Sequence, residues 1–221
     1  MKTVLLLVLV AVSAIAATPP PSAKELLESV RMRQAQQELE LQGQLREDAT
    51  IIPFRLVQTG PLIRYSFSNP DSALQLRLGE NDSRLEEITR EGTEKITAAQ
   101  FDHKVRGTGV TYEDLAMKFL YWPDAKVAGE NSIRTRYCWK IELKAPSRQS
   151  QYSNVWLWVD KEGGAIMRMD AFDWNAKLLK RFEVISAQKI DDRWFLKEMR
   201  IEEFDPTTGK VKTRTYLDIK K

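Results

Sequence analysis

Residues capable of acid-base, nucleophilic or metal chemistry are few and poorly grouped in this 221-residue sequence. His103 is its one histidine and has no cysteine or histidine at metal-ligand spacing, so it reads as a surface or capping residue rather than a ligand. No Gly-x-Ser-x-Gly segment offers a nucleophile on a strand-turn-helix. Gly107-Thr108-Gly109 lacks the third glycine and the preceding strand of a dinucleotide fingerprint, which leaves a loop. The adjacent carboxylates Glu86-Glu87 and Asp191-Asp192 would point to opposite faces of a strand, so neither forms a catalytic pair. Cys138 is alone and closes no internal disulfide. The expectation is a protein that is not an enzyme and uses neither cofactor nor metal.

Apolar side chains are the chemistry in excess. Val155-Trp156-Leu157-Trp158-Val159 is apolar on both faces of one strand, which a half-solvated sheet would not tolerate. By alternation Met167 and Met169 share a face, as do Met199 and Ile201. Methionine is pliable and fills irregular space, so a concave sheet carrying several of them suits either a pocket for alkyl chains or a core packed under helices. The net charge of +3 is small and both signs are interspersed, which argues against a nucleic-acid partner.

These side chains need strands to place them. Ser22-Ala23-Lys24-Glu25 is a capping box, and Leu26, Leu27, Val30, Gln34 and Leu41 follow at helical spacing, predicting a helix over 23–37. Alternation of period two then marks strands over 52–57, 62–67 and 74–78, separated by Thr59-Gly60-Pro61 and Ser68-Asn69-Pro70-Asp71. Helical patterns return over 97–104 and 111–120, the second opened by Thr111 with Asp114. Six long strands follow, over 134–143, 155–160, 166–172, 178–188, 195–204 and 211–219. Short turns force antiparallel neighbours, so ten or eleven strands should form a curved meander, a barrel or half-barrel, with helices over its open side. Alternation nominates Phe54, Leu56, Ile63, Tyr65, Leu76, Tyr137, Trp139, Leu157, Met167, Met169 and Met199 as the wall of an apolar cavity.

The first residues have the form of an export signal: Lys2, an apolar run over 4–12, and Ala14-Ile15-Ala16 as a small-x-small cleavage site. The run falls short of the roughly 20 residues that cross a bilayer, and Pro19-Pro20-Pro21 breaks it. The expected organisation is a signal peptide over 1–16 and one domain over 17–221, exported to the periplasm of a bacterium. With no cysteine near the cleavage site, the mature chain is expected to be soluble and not lipid-anchored.

From Tyr112 onward the chain resembles the LolA-like outer-membrane lipoprotein-sorting proteins. The likeness is carried by Thr111-Tyr112-Glu113-Asp114-Leu115, by Trp139-Lys140-Ile141-Glu142-Leu143-Lys144-Ala145-Pro146, and by Tyr152-Ser153-Asn154 running into the Val155 strand and Asp160-Lys161-Glu162. Phe172-Asp173-Trp174-Asn175-Ala176-Lys177, Met199-Arg200-Ile201 and Gly209-Lys210-Val211-Lys212-Thr213 continue it, while the N-terminal half agrees more loosely through its leading helix, the Gly43 strand and Pro61-Leu62-Ile63-Arg64-Tyr65. The resemblance implies a mainly antiparallel β fold with α, an unclosed half-barrel under a helical lid at 23–37 and 97–120. It implies a periplasmic carrier of the acyl chains of lipoproteins or other lipids. The partners it implies are an inner-membrane exporter and an outer-membrane acceptor, with only peripheral or transient membrane contact. Two positions depart from the family pattern: Ala176 stands where glycine is frequent, so Asn175 is expected to take the left-handed turn conformation, and Thr59-Gly60 stands where the better-known carriers have an arginine before the proline. The alternative reading is a module that binds a protein or envelope polymer and carries no lipid.

Overall fold

The computed structural model describes residues 20–190 and 193–220. The signal segment expected over 1–16, Pro19, and the Asp191-Asp192 pair lie outside the described residues.

Helix α1 (Ala23–Ala35) begins at the expected capping box. The Glu25 amide donates to Ser22 Oγ at 3.2 Å while Ser22 N donates to Glu25 Oε2 at 2.7 Å, so two orphan helix-start donors are satisfied reciprocally. Ala23, Leu27 and Val30 repeat at four and three residues and bury one face. The helix ends at Ala35, two residues before the predicted limit, and strand pairing takes over at Glu38.

Thirteen strands follow: β1 (Glu38–Glu47), β2 (Thr50–Thr59), β3 (Leu62–Ser68), β4 (Asp71–Leu78), β5 (Ser83–Ile88), β6 (Thr93–Lys95), β7 (Asp124–Ile133), β8 (Arg136–Lys144), β9 (Asn154–Asp160), β10 (Ile166–Phe172), β11 (Leu178–Ile190), β12 (Arg193–Phe204) and β13 (Val211–Lys220). They form one antiparallel sheet in the order β6-β5-β4-β3-β2-β1-β13-β12-β11-β10-β9-β8-β7. The joint between β1 and β13 brings the first and last strands together, with Gly43 opposite Ile219 and Leu45 opposite Leu217. β6 and β7 remain as separate edges, so the sheet is curved but unclosed, as expected. The count exceeds ten or eleven because β5, β6 and β7 carry weak patterns. Half of Ser83-Arg84-Leu85-Glu86-Glu87-Ile88 is charged, and β7 holds Gly129 and Asn131, both poor strand formers.

The helical expectation over 97–120 is only partly met. Residues 97–104 contain a single 3-10 turn, Ala98–Gln100, and the next helix, α2, spans only Tyr112–Ala116. Met117 takes a left-handed conformation at φ 50°, which stops α2 before the 3-10 turn Lys118–Tyr121. The concave side is therefore covered by α1 and a largely irregular crossing over 96–123. The turn between β10 and β11 corrects a second expectation. Ala176, not Asn175, holds the positive φ, at 59°, because Asp173 Oδ1 accepts from both the Asn175 and Lys177 amides at 2.8 Å and fixes the turn around it.

On the convex face charges pair across strands. Asp170 on β10 receives bidentate bonds from Arg168 at 2.9 and 2.6 Å and from Arg181 on β11 at 2.9 and 2.9 Å. Burial by itself would raise this carboxyl, but the two guanidinium groups outweigh it and hold the group below the usual aspartate range.

Candidate functional site

Register defines the concave face. Val127, Ile141, Leu157, Met169, Phe182, Ile201 and Thr215 are successive cross-strand partners from β7 to β13, and Leu41, Leu56, Tyr65 and Leu74 form a second row from β1 to β4. The two rows differ in cover. Beneath α1 and the Phe119–Trp122 stretch, Ile141, Leu143, Val155, Leu157, Val159 and Met169 are sealed in a core with Leu27, Val30 and Leu120. Along β1–β3 and β11–β13, by contrast, Leu41, Ile52, Leu56, Tyr65, Phe182, Leu196, Met199 and Leu217 are only half-buried on the same face. They form an apolar strip that water still reaches, flanked by Leu115 and Met117 from the crossing segment. Tyr65 is half-buried, and burial pushes its hydroxyl up to about 12.

A buried polar cluster fastens the crossing segment to the sheet. Asp114 Oδ2 accepts from Thr111 N at 2.7 Å, Thr111 Oγ1 at 2.9 Å and Lys180 Nζ at 2.7 Å, and its Oδ1 accepts from the Tyr152 hydroxyl at 2.6 Å. Burial and the adjacent Asp114 charge raise the Tyr152 hydroxyl well above its ordinary range. Glu113 accepts from Ser150 Oγ and from Gln151 N, and burial raises its carboxyl despite those bonds. Gly109 N donates to Glu47 Oε2 at 2.7 Å and to Thr215 Oγ1 at 3.1 Å. The Thr111-to-Leu115 motif thus acts as a bolt at one end of the sheet. Asp114 is ion-paired with Lys180, whereas Glu113 and Glu47 are held by hydrogen bonds to neutral donors.

Polar clips hold α1 at its other end. Arg33 Nη1 donates to Gly163 O at 3.1 Å, Arg31 donates to Leu120 O and lies over the Tyr121 ring, and Gln58 Nε2 donates to Gln34 O and to Gly60 O. The Gly60 amide donates to Gln37 O at 3.0 Å. The Thr59-Gly60 turn and Gln58 thus tie down the end of the helix.

A pocket of about 580 Å³ opens beside the β3–β4 turn, lined by Phe67, Leu74, Val105, Arg106, Tyr112 and Glu87 among others. None of the eleven residues nominated from sequence lines it. Of those, Phe54, Ile63, Leu76, Leu157 and Met169 are buried in the two cores, and Leu56, Tyr65 and Met199 lie together on the half-open strip. Trp139 is half-buried with Lys161 Nζ 3.8 Å from its ring, and Tyr137, 73% exposed, stands at the rim where β8 begins. Met167 departs most. A bulge sets Ile166 opposite Val159 and Arg168 opposite Trp158, so Met167 is the extra residue and packs with Ile133, Cys138 and Trp158 on the convex face. Ile52, Phe182, Leu196 and Leu217 were legible as alternation but not singled out, and Leu41 was masked by extending the helical pattern through it.

Together these features define a half-barrel with a curved antiparallel sheet, an unclosed edge and a covering segment over one end of its concave face. Solved structures share this architecture. A DUF1329 family protein from Desulfovibrio piger matches with 20% identity and TM-score 0.66, covering 90% of each chain. A domain named as an outer membrane lipoprotein-sorting protein, from Vibrio parahaemolyticus, matches with 13% identity and TM-score 0.68, covering 90% of each chain. A LolA superfamily protein from Nitrosomonas europaea matches with 16% identity and TM-score 0.66, covering 91% of this chain and 93% of that one. The fold is therefore LolA-like. A family model described as "-like: Uncharacterized protein" matches residues 89–221, and the chain belongs to that family. No curated protein matches the sequence.

Proposed function

We propose that the protein is a non-enzymatic periplasmic carrier that holds the acyl chains of lipoproteins, or other lipids, against the half-open concave strip and moves them toward the outer membrane. The observation that carries this reading is the strip itself. Leu41, Leu56, Tyr65, Met199 and Leu217 face the concavity yet stay accessible, and such apolar surface is kept open at the expense of about 25 cal/mol per Å². An acyl chain left in water forfeits about 0.8 kcal/mol per methylene, or roughly 12 kcal/mol for a chain of about 16 carbons, so a lipidated client needs a dry wall to cross an aqueous compartment. Helix α1 and the crossing segment act as the lid, held by the Gln58 and Arg33 clips at one end and the Asp114 bolt at the other. The likeness in fold to a lipoprotein-sorting domain supports the reading without naming the client.

The sealing of Phe54, Ile63, Leu76, Leu157 and Met169 favours the second reading, a module that binds a protein or polymer and carries no lipid. Solvent extraction of protein purified from its native compartment, followed by mass spectrometry, separates the two. Bound acyl lipid at near one equivalent is expected. Protein that carries no lipid and fails to take up a palmitoylated peptide in titration refutes the carrier reading.

A further inference from the structure

Among the described residues, the large apolar side chains left exposed are Met32, Ile51, Tyr137 and Trp194. All but Ile51 stand at one end of the half-barrel. Antiparallel pairing brings to that end the start of β8, the end of β9, the start of β10, the tip of the β11–β12 hairpin, the end of β13 and the start of β1. Tyr137 is the second residue of β8 and Trp194 the second of β12. Met32 precedes Arg33, which is clipped to Gly163 in the β9–β10 turn at the same end. Ile51 lies at the opposite end, beside the β1–β2 turn. Register shows what the two rings continue. On β8 the concave-facing row runs Ile141, Trp139, Tyr137, from buried through half-buried to exposed. On β12 it runs Ile201, Met199 and, past a bulge in which Lys197 is the extra residue, Leu196 and Trp194, again from buried to exposed. Each ring therefore ends an apolar row that begins inside the concavity. Support from neighbouring strands also runs out here: β10 pairs with β11 no further than Glu183, and β13 with β12 no further than Glu198. Beyond those pairs β11 and β12 bond only to each other, as a two-stranded ribbon that carries Trp194 near its tip.

We infer that this rim is the surface by which the protein meets a lipid bilayer, with Tyr137 and Trp194 seated at the depth of the headgroups. Tyrosine and tryptophan join an apolar ring to a polar tip, the combination that favours the membrane–water interface. Continuity selects a lipid surface as the occupant: the rows that end in these rings begin on the concave apolar face, so an acyl chain passing between bilayer and strip follows one apolar surface. The inference rests on the carrier reading for what is exchanged at the rim. Backbone limits the depth. The outer N–H and C=O groups of the ribbon have no neighbouring strand, and such groups cannot enter hydrocarbon without partners, so the rim rests among the headgroups. Charge contributes little, because three basic and two acidic residues share the sequence over 189–197. The rings hold the contact, and it extends to neutral lipid.

The test uses the mature chain, so that the apolar run over 4–12 does not itself bind lipid, and neutral vesicles of phosphatidylcholine. Flotation measures the bound fraction, and phosphatidylcholine brominated near the headgroup end of its acyl chains reads ring depth by quenching tryptophan emission. Wild type is expected to float and to be quenched. Trp194→Ser is expected to weaken partition about tenfold, as for roughly 60 Å² of ring surface no longer withdrawn from water, and to lose most of the quenching. Tyr137→Ser is expected to weaken it less, and Trp194→Phe to keep most of the binding while losing the quenching. Both positions are exposed, so the variants keep the fold. A wild type that stays in the soluble fraction, or a Trp194→Ser variant that floats and is quenched as wild type is, overturns the rim contact. Uptake of a palmitoylated peptide, titrated without vesicles, separates this from the carrier reading: uptake retained leaves that reading standing when the rim contact fails, and uptake absent refutes it.

Discussion

Under α1, the concave face of β8–β10 is roofed: Leu157, Ile141 and Val155 touch no solvent, and Leu27, Val30, Phe119 and Leu120 complete a closed core over them. Across the sheet, on β1, β2, β12 and β13, the same face buries Leu45, Phe54, Ile201 and Ile219 against Val105, Val110 and Ala116 of the crossing, but Leu41, Leu56, Met199 and Leu217 are left half-buried. The side chains do not differ in kind; leucine, methionine and aromatics line both halves. What differs is the number of residues available to cover them. One 13-residue helix and an irregular crossing supply the cover for a thirteen-stranded sheet. The roofed half buries its apolar core completely, and the other half keeps part of its apolar surface accessible.

The sharpest way to break this comparison is to release the bolt. Asp114→Ala leaves the Lys180 ammonium buried without its carboxylate, and removing one member of a buried pair lowers stability by about 3–5 kcal/mol. Urea unfolding checks it, and a loss below about 1 kcal/mol would show that the crossing segment is held by packing alone. Next in size is a matched pair. Leu157→Ala in the roofed half is expected to lower stability by about 2–5 kcal/mol and leave acyl binding unchanged. Leu56→Ala in the open half is expected to lower stability by about 1 kcal/mol or less while weakening binding of a palmitoylated peptide about tenfold, the equivalent of about 1.4 kcal/mol of lost contact. Equal effects of the two variants on binding would erase the distinction between the halves.

Acid sharpens it further, on the convex side of the roofed half. The Asp170 carboxyl is depressed in the folded state, so the unfolded chain takes up a proton before the native one does. Its contribution is complete above the ordinary aspartate range and disappears as the pH falls through the depressed folded value. Chemical denaturation between neutral pH and pH about 2 should show an acid-limb loss of about 1–3 kcal/mol that Asp170→Asn flattens. An unchanged limb in the variant would assign acid lability elsewhere. The smallest effect belongs to the turn that joins the halves, where Ala176 sits at positive φ. Ala176→Gly should raise stability by up to about 1 kcal/mol, read as a shift in the denaturation midpoint.

Much of the architecture was legible because it rests on local chemistry. The capping box at Ser22 and Glu25 placed the start of α1, and period-two runs around Phe54, Tyr65, Leu157 and Ile201 placed strands and told their two faces apart. Four strands were given no range by pattern: β1, hidden by the helical spacing carried through Leu41, and β5, β6 and β7, where charge and glycine diluted the alternation. The candidate site was half legible. Leu56, Tyr65 and Met199, nominated as cavity wall, lie half-buried beside Leu41, Ile52 and Leu217, which were not nominated, and no pattern distinguishes a half-covered leucine from a sealed one. Met167 shows the limit most clearly: one extra residue in a bulge turned it to the far side of the sheet, and the pairing that creates the bulge involves β9, not its own neighbours in sequence.

By itself the sequence determined what each segment could be: where a helix must start, which residues alternate, which turns are tight, and that catalytic groups are scarce. Those follow from interactions spanning a few residues, whose energies are written in adjacent side chains. Only the tertiary structure decided that β13 returns to pair with β1, that Met117 stops α2 and bends the crossing over β4 and β5, and that Leu157 is sealed while Leu56 and Leu217 stay half-buried. Burial is a property of how distant segments share space, and no local run of residues contains it.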